Sequence, residues 1–458
     1  MMLPSRDPVV CCRPMSPAWL TAAGLAALLC LGGAAASAAE PDPRVARLVA
    51  AVSEQRLEEV LNRLAGFGTR HTLSSTDSPG RGIGAARDWI LDEMRRSSPR
   101  LQVAFDSYSI PRQGDRITRD VEIRNVEAVL PGRSQRRLYV SAHYDSVARV
   151  GAPDAPNGGF DWSRGDNPAP GVNDDGSGTA LVMELARDFA QSNLDFDATL
   201  VFIAFAGEEQ GLVGSSLHAQ RAEARGLVID AVLNNDIVGG GRGGDGTADT
   251  RSIRVFSEGP EDSPSRQLAR AVRRQAAAYV PAHAVRLVAR QDRFGRGGDH
   301  MSFNAHGFTA VRLSEAKEDY ARQHSTADDL QGVSPGYLAR NARVNAAALA
   351  VLALAPPAPV VTDARQRPRL GRGASGYDAA LSWSPAPGAA GYRVFWREAW
   401  TPDWKHERDV GDVTELVLPG VSIDDHVFGV AALSAAGDES LVSAYVLQPR
   451  PFPAIETR

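Results

Sequence analysis

Two histidines and several carboxylates stand in short polar segments of this chain where apolar runs end. In the first segment, Ser141-Ala142-His143-Tyr144-Asp145-Ser146, a carboxylate lies two residues beyond an imidazole. A carboxylate so close can accept the second ring N–H and fix the tautomer that a metal-binding histidine needs. The second, Pro170-Gly171-Val172-Asn173-Asp174-Asp175-Gly176-Ser177-Gly178, sets two aspartates among turn and cap residues. Structurally it reads as a turn before a helix; chemically it reads as a tight backbone holding one carboxylate between two cations. The third, Ala206-Gly207-Glu208-Glu209-Gln210-Gly211-Leu212-Val213-Gly214-Ser215, follows the most apolar strand candidate. Adjacent carboxylates at a buried strand end repel unless a cation or proton intervenes. One glutamate is therefore expected to hold a metal and the other to face a water. Asn234-Asn235-Asp236 adds a carboxylate, and Gln323-His324-Ser325-Thr326-Ala327-Asp328 adds a second imidazole with Asp328 placed to orient it.

Together the segments offer two histidines, three carboxylates and one spare glutamate. Zinc takes imidazole nitrogen and carboxylate oxygen. Two cations share five such ligands only if one carboxylate bridges them, and pairs of this kind, about 3.5–4 Å apart, clamp a nucleophilic water and an oxyanion together. The three cysteines, Cys11, Cys12 and Cys30, all precede Ala36-Ser37-Ala38, so the expected mature chain has no thiol to compete.

The elements that must position these groups alternate between strand and helix. Leu138–Ala142, Leu200–Phe205, Ala231–Leu233 and Thr309–Val311 are short apolar runs, as strands covered on both faces should be. Helical spacing of apolar residues appears over Arg44 to Ala65, Gly82 to Arg95, Thr179 to Phe189, Ser265 to Tyr279 and Pro335 to Leu354. The alternation predicts an α/β fold, a mixed, largely parallel sheet sandwiched by helices. Ala355-Pro356-Pro357-Ala358-Pro359 must stop the last helix. Beyond it, Ala380–Trp383, Gly391–Trp396, Thr414–Leu418, His426–Ala432 and Ser440–Ser443 are short strands between turn residues, which predicts a small all-β sandwich.

The bulk properties bound the answer. A chain of 458 residues suggests two or three units. A net charge of -5 with acids mixed among the arginines lacks the basic face of a nucleic-acid binder. Arg6 and Arg13, the apolar stretch Ala18 to Leu31 and the small residues ending at Ala38 have the order of a secretory signal peptide. That stretch falls short of the roughly 20 residues of a membrane span. The expected layout is a signal peptide over 1–38, a catalytic domain over 40–355, a proline-rich linker over 356–360 and a β-sandwich over 361–458. The mature product is expected to be secreted or periplasmic, without a stable membrane span.

The five segments, in this order, resemble the co-catalytic two-zinc aminopeptidases typified by the bacterial leucine aminopeptidases, over roughly Val45 to Ala355. Gly68-Thr69-Arg70-His71 is similar to that family's opening segment. The resemblance implies that Asp174 bridges two Zn2+, with His143 and Asp236 completing one site and Glu209 and His324 the other. It further implies that Glu208 is the general base, that Asp145 partners His143, and that the Asp174–Asp175 peptide is strained. Co2+ or Mn2+ are possible substitutes. Relatives often carry Tyr before the last histidine, to help stabilise an oxyanion, where this chain has Gln323; Arg293 to His300 is only similar to their Arg-Ser-Asp segment. Trp383 followed by Gly391-Tyr392-Arg393-Val394 resembles a fibronectin type III module. The implied activity is removal of N-terminal residues from peptides with a free N-terminus. The alternatives are a carboxypeptidase or small-amide hydrolase on the same metals, a one-metal transferase like the glutaminyl cyclases, and a non-catalytic scaffold. The C-terminal module is expected to pack beside the active-site rim, to bind a surface or protein, or to act as a spacer. The other histidines, His71, His218, His283, His300, His306, His406 and His426, are expected to be structural or solvated, with His300 a candidate pocket wall.

Overall fold

The structure is a computed structural model that describes residues 41–447. The leader expected over 1–38 and the three cysteines lie outside the described residues. Eight helices, α1 (Pro43–Ala51), α2 (Glu54–Gly66), α3 (Gly82–Ser97), α4 (Gly176–Gln191), α5 (Val213–Ala224), α6 (Pro264–Tyr279), α7 (His300–Ala305) and α8 (Pro335–Leu354), accompany the first eight strands. The strands are β1 (Gln102–Ile110), β2 (Val121–Leu130), β3 (Arg137–His143), β4 (Thr199–Phe205), β5 (Ile229–Asn235), β6 (Ser252–Ser257), β7 (Ala284–Val288) and β8 (Ala310–Glu315). They form one sheet in the order β1-β2-β4-β3-β5-β8-β6-β7. Its centre, β4-β3-β5-β8, is parallel throughout, while β1, β2 and β6 run antiparallel to their inner neighbours. The α/β class and the mixed sheet are as the sequence predicts.

Strand side chains alternate faces, and β3 and β4 carry apolar residues on both. Leu138, Val140, Ala142, Leu200, Phe202 and Ala204 enter one core with α1–α4, α6 and α8. Tyr139, Val201, Ile203 and Phe205 enter the other, with Ala219 and Ala222 of α5 and Phe303 of α7. Helix α8 is buried along nearly its whole length, yet no helix among the described residues is long and apolar enough to cross a membrane.

The single helical stretch read over Arg44 to Ala65 is two helices. Ser53 breaks it, because its hydroxyl caps α2 at the Arg56 N–H and its own N–H goes to Glu184 Oε1, 2.8 Å away. The cap captures groups that a continuous helix would need for its ladder.

After α8 the chain turns all-β. Strands β9 (Leu370–Arg372), β10 (Asp378–Ser382), β11 (Gly391–Glu398), β12 (His406–Gly411), β13 (Glu415–Ser422), β14 (His426–Leu433) and β15 (Ser443–Ala444) form two antiparallel sheets, β13-β10-β9 and β12-β11-β14-β15. Trp383 is fully buried between them, its ring 5.4 Å from that of Tyr392. These sheets dock on α6. Arg397 Nη2 lies 2.7 and 2.9 Å from the two oxygens of Asp262, Arg270 Nε donates to the Pro402 carbonyl, and Trp404 Nε1 donates to Gln267 Oε1.

Candidate metal centre

The four central parallel strands end at one edge of the sheet, the edge where open α/β sheets bind ligands. Each end delivers one part of the site. His143 is the last residue of β3, Glu208 and Glu209 follow β4, Asp236 follows β5, and His324 stands in the segment after β8. Asp174 comes from the turn before α4. The chain passes from β3 through α4 to β4 on one side, then through α5 to β5 on the other side of β3. That reversal opens the crevice in which the groups meet.

Asp174 lies between the two histidines. Its Oδ1 is 3.3 Å from His143 Nε2 and its Oδ2 is 3.0 Å from His324 Nε2. Asp236 Oδ1 is 3.9 Å from His143 Nε2, and Glu209 Oε2 is 3.3 Å from His324 Nε2. Five ligand candidates thus fall into two groups that share Asp174. Asp175 also has a carboxylate oxygen within 4.8 Å of ligand atoms of His143 and Asp236. Its oxygens are already committed, however: one accepts the His143 N–H and the other the Gly178 and Ile237 N–H groups. Asp175 caps α4 and ties β3, α4 and the end of β5 together. The Asp174–Asp175 peptide is cis.

The backbone around these residues is tightly held. Gly178 has no room for a Cβ, which would fall 2.2 Å from the Asn235 carbonyl. Gly171 adopts φ +50°, and a Cβ there would meet Ser146 and the Asp174 carbonyl, so the turn requires glycine. Arg70, fully buried, donates to the carbonyls of Tyr144, Pro170 and Gly171 at 2.6, 2.6 and 2.7 Å. Its guanidinium thereby ties the end of β3 to the Asp174 turn. Ile237 and His324 both sit in the left-handed region, at φ +61° and +54°, a conformation that persists where surrounding structure enforces it and that clusters at functional sites.

Two of the sequence-based pairings take a different form. Asp145 does approach His143, but its carbonyl is the nearer partner of Nδ1, at 3.2 Å, with the carboxylate at 3.6 Å. The carboxylate instead accepts the backbone N–H groups of Glu208 and Glu209 and the Thr72 hydroxyl, each at 3.2 Å. Asp328 does not turn to His324. Its oxygens accept the N–H groups of Asn173 and Asp174 at 2.9 and 3.0 Å. In both cases a nearby loop offers unsatisfied backbone donors, which draw a buried carboxylate more effectively than an imidazole edge.

Gln323 does not present its amide to the cavity: Oε1 accepts from Arg296 at 2.6 Å and Nε2 donates to Glu318 at 3.0 Å. Tyr320 is 58% exposed and stacks on Arg296 instead of turning inward. His300 is fully buried and bonded to the Gln291 carbonyl, so it is structural and not a wall of the cavity. Sequence reasoning missed Arg312, a fully buried arginine in β8 whose Nη1 lies 2.9 Å from Asp236 Oδ2. It leaves Oδ1 for His143's side.

The electrostatics call for cations. Burial pushes the Glu208 and Glu209 carboxyls well above the ordinary range, and neighbouring acids push the same way, Asp236 and Asp299 for Glu208, Asp174 and Glu208 for Glu209. Burial acts to raise Asp174 too, but contact with His143 and His324 outweighs it and holds that carboxyl well below its usual range. Glu209 Oε1 is buried without any hydrogen-bond partner. A buried glutamate with an orphan oxygen, beside the His324 imidazole and the Asp174 carboxylate, is what an N/O site for zinc provides; the residues present fit that metal.

A protein named "Probable zinc metalloprotease" from Pyricularia oryzae is 38% identical over 451 residues, spanning 89% of this chain and 85% of its own. The model of peptidase family M28 matches residues 125–349. This chain belongs to peptidase family M28. As an M28 member it is a zinc metallopeptidase. The LapA aminopeptidase of Legionella pneumophila shares the fold, with TM-score 0.51 and 18% identity over 68% of this chain and 74% of LapA. The glutaminyl cyclase of Porphyromonas gingivalis also shares it, with TM-score 0.51 and 18% identity over 65% of this chain and 98% of the cyclase.

Proposed function

We propose that this M28 peptidase is a secreted two-zinc exopeptidase, an aminopeptidase that removes N-terminal residues from peptides. The observation that carries the two-metal reading is Asp174, whose separate oxygens reach separate histidines. His143, Asp174 and Asp236 would hold one ion, and Asp174, Glu209 and His324 the other. When bound, the zinc pair lowers the pKa of a water from 15.7 towards about 7 and withdraws charge from the scissile carbonyl. Glu208, whose carboxyl lines the same cavity of about 330 Å³, takes the proton of the attacking water and passes it to the leaving amine. Asp145 holds the Glu208 and Glu209 backbone still while this happens. The acidic groups around the cavity offer partners to the free amine of a peptide N-terminus, and the likeness of fold to an aminopeptidase supports that reading.

The order of charged, apolar and small residues over 1–38 supports export. The C-terminal sheets with buried Trp383 support a fibronectin type III-like module. A carboxypeptidase on the same residues is favoured by one observation, the arginines beside the cavity mouth, which suit a terminal carboxylate. Hydrolysis of aminoacyl anilides, before and after chelation, tests the proposal. Chelator-sensitive release from free-amine but not N-acetylated substrates is expected; release only from N-acetylated peptides would replace the aminopeptidase with the carboxypeptidase.

A further inference from the structure

Two arginines that line the metal cavity, Arg116 and Arg296, and a third beside His324, Arg149, have no carboxylate partner among the described residues. Arg296 lines the cavity, and its hydrogen bond goes to the neutral amide of Gln323. Arg116 lines it on the Glu209 side; Nη1 donates to the Glu209 carbonyl at 3.0 Å, and the guanidinium lies 5.0 Å from the Trp162 ring centre. Arg149 flanks His324: its N–H donates to the His324 carbonyl, Nη1 to the Gln323 carbonyl, and its guanidinium lies over Phe160. Neutral acceptors and aromatic faces thus fix all three in position without cancelling their charge. The neighbouring Arg293 is different, since Glu318 and Asp292 neutralise it at 2.7 and 3.1 Å.

Arg149 and Arg296 both bond to Gln323, the residue before His324. Their convergence costs like-charge repulsion, and after burial the nearness of Arg296 is the next cause holding Arg149 below its ordinary value. Such a pair is stable beside an anion. Glu209 and Asp174 offset part of that repulsion from a distance, but the residue that both guanidinium groups touch is a neutral glutamine, which leaves their hydrogen-bonding edges open to an anion brought by the substrate. Guanidinium is suited to it, because its fixed fork matches the two oxygens of a carboxylate.

We propose that this site selects substrates carrying a carboxylate close to the scissile bond, received by Arg149 and Arg296, with Arg116 adding positive charge on the Glu209 side. The inference rests on the aminopeptidase reading above. The carboxylate has two possible sources of one chemistry, the terminal carboxylate of a di- or tripeptide and the side chain of an acidic residue.

The test uses the zinc-loaded protein and two ratios of kcat/KM: glutamyl over glutaminyl anilide, and leucyl-alanine over leucyl-alaninamide. At least one ratio is expected to exceed about tenfold, and which one it is names the source. That ratio should collapse towards one in Arg296→Gln and Arg149→Gln, and be retained in large part by Arg296→Lys, which keeps the charge. Because ratios are read, a variant that merely folds poorly lowers both members and leaves the quotient unchanged. Both ratios near one in the wild-type protein, or a high ratio indifferent to both glutamine substitutions, would overturn the proposal while leaving the peptidase reading intact. Hydrolysis of none of the four substrates, all of which carry a free amine, would remove the aminopeptidase reading, and the carboxylate preference with it.

Discussion

Asp145→Asn isolates the part of the site that holds the paired glutamates in place. The Asp145 carboxylate is fully buried and accepts three hydrogen bonds, from the Glu208 N–H, the Glu209 N–H and the Thr72 hydroxyl. Asparagine keeps the shape but offers only one acceptor oxygen. Whichever way its amide faces, one glutamate N–H loses its acceptor and confronts an NH2 group. An unsatisfied buried donor costs roughly 1–3 kcal/mol. Replacement of a group that orients metal ligands typically weakens metal affinity about 10–100-fold. Urea unfolding of the metal-free protein should therefore show a loss of about 1–3 kcal/mol. Competition with a chromophoric chelator should show zinc bound about 10–100-fold more weakly. Thr72→Val, which removes one neutral donor and leaves both glutamates held, should cost about 1 kcal/mol or less. If Asp145→Asn binds zinc as tightly as the wild-type protein, the carboxylate does not position the glutamates, and the reasoning fails at that step.

Four further outcomes follow from the same geometry. Glu208→Gln should retain its zinc yet lose about 10²–10⁴ in kcat; full turnover would dismiss Glu208 as the proton carrier. Asp174→Ala should bind less than one zinc per chain by elemental analysis, since both groups lose a ligand, and an undiminished content would contradict bridging. Burial holds the His71 and His300 imidazoles down at about 4, against an ordinary value of 6.5. Between those values the unfolded chain takes up protons that the folded chain refuses, so stability rises with pH across the window and is lost as pH falls. Each histidine adds a slope of up to about 1.4 kcal/mol per pH unit, and His300→Gln should flatten the denaturation profile between pH 4 and 6.5 accordingly; an unaltered slope would refute the assignment. Among the described residues Arg397→Met leaves Asp262 with only Arg270, 3.5 Å away, and should cost about 3 kcal/mol in denaturant unfolding, whereas no change would show that this contact does not hold the C-terminal sheets.

The sequence carried the site more clearly than the scaffold around it. His143, Glu208, Glu209 and Asp236 were legible because they stand where apolar strand runs end, and parallel strands bring those ends to one edge; Asp174 and His324 were legible from their short polar segments, a turn before α4 and the stretch after β8. The partners of Asp145 and Asp328 were not legible. Their hydrogen bonds go to backbone N–H groups far along the chain, 63 and 64 residues away for Asp145 and 155 and 154 for Asp328. A nearby histidine is the only partner that spacing can suggest. Arg312 gave no signal because one arginine in a short apolar strand reads as an edge residue. Among the elements, the hairpin β1–β2 was missed because its first strand is only partly buried and mixes Gln102, Asp106, Ser107 and Ser109 among its apolar residues. Helix α5 was missed because Gly214, Ser215 and Ser216 at its start blur any apolar stripe. The break at Ser53 was hidden because the apolar period continues across it.

The most direct test of the two-metal centre is anomalous diffraction at the zinc edge from crystals of the zinc-loaded protein. Two peaks are predicted, one bounded by His143, Asp174 and Asp236, the other by Asp174, Glu209 and His324, with one Asp174 oxygen on each. A single peak, or a second ion held by Asp175 in place of Asp174, would contradict the shared carboxylate on which the proposed chemistry depends.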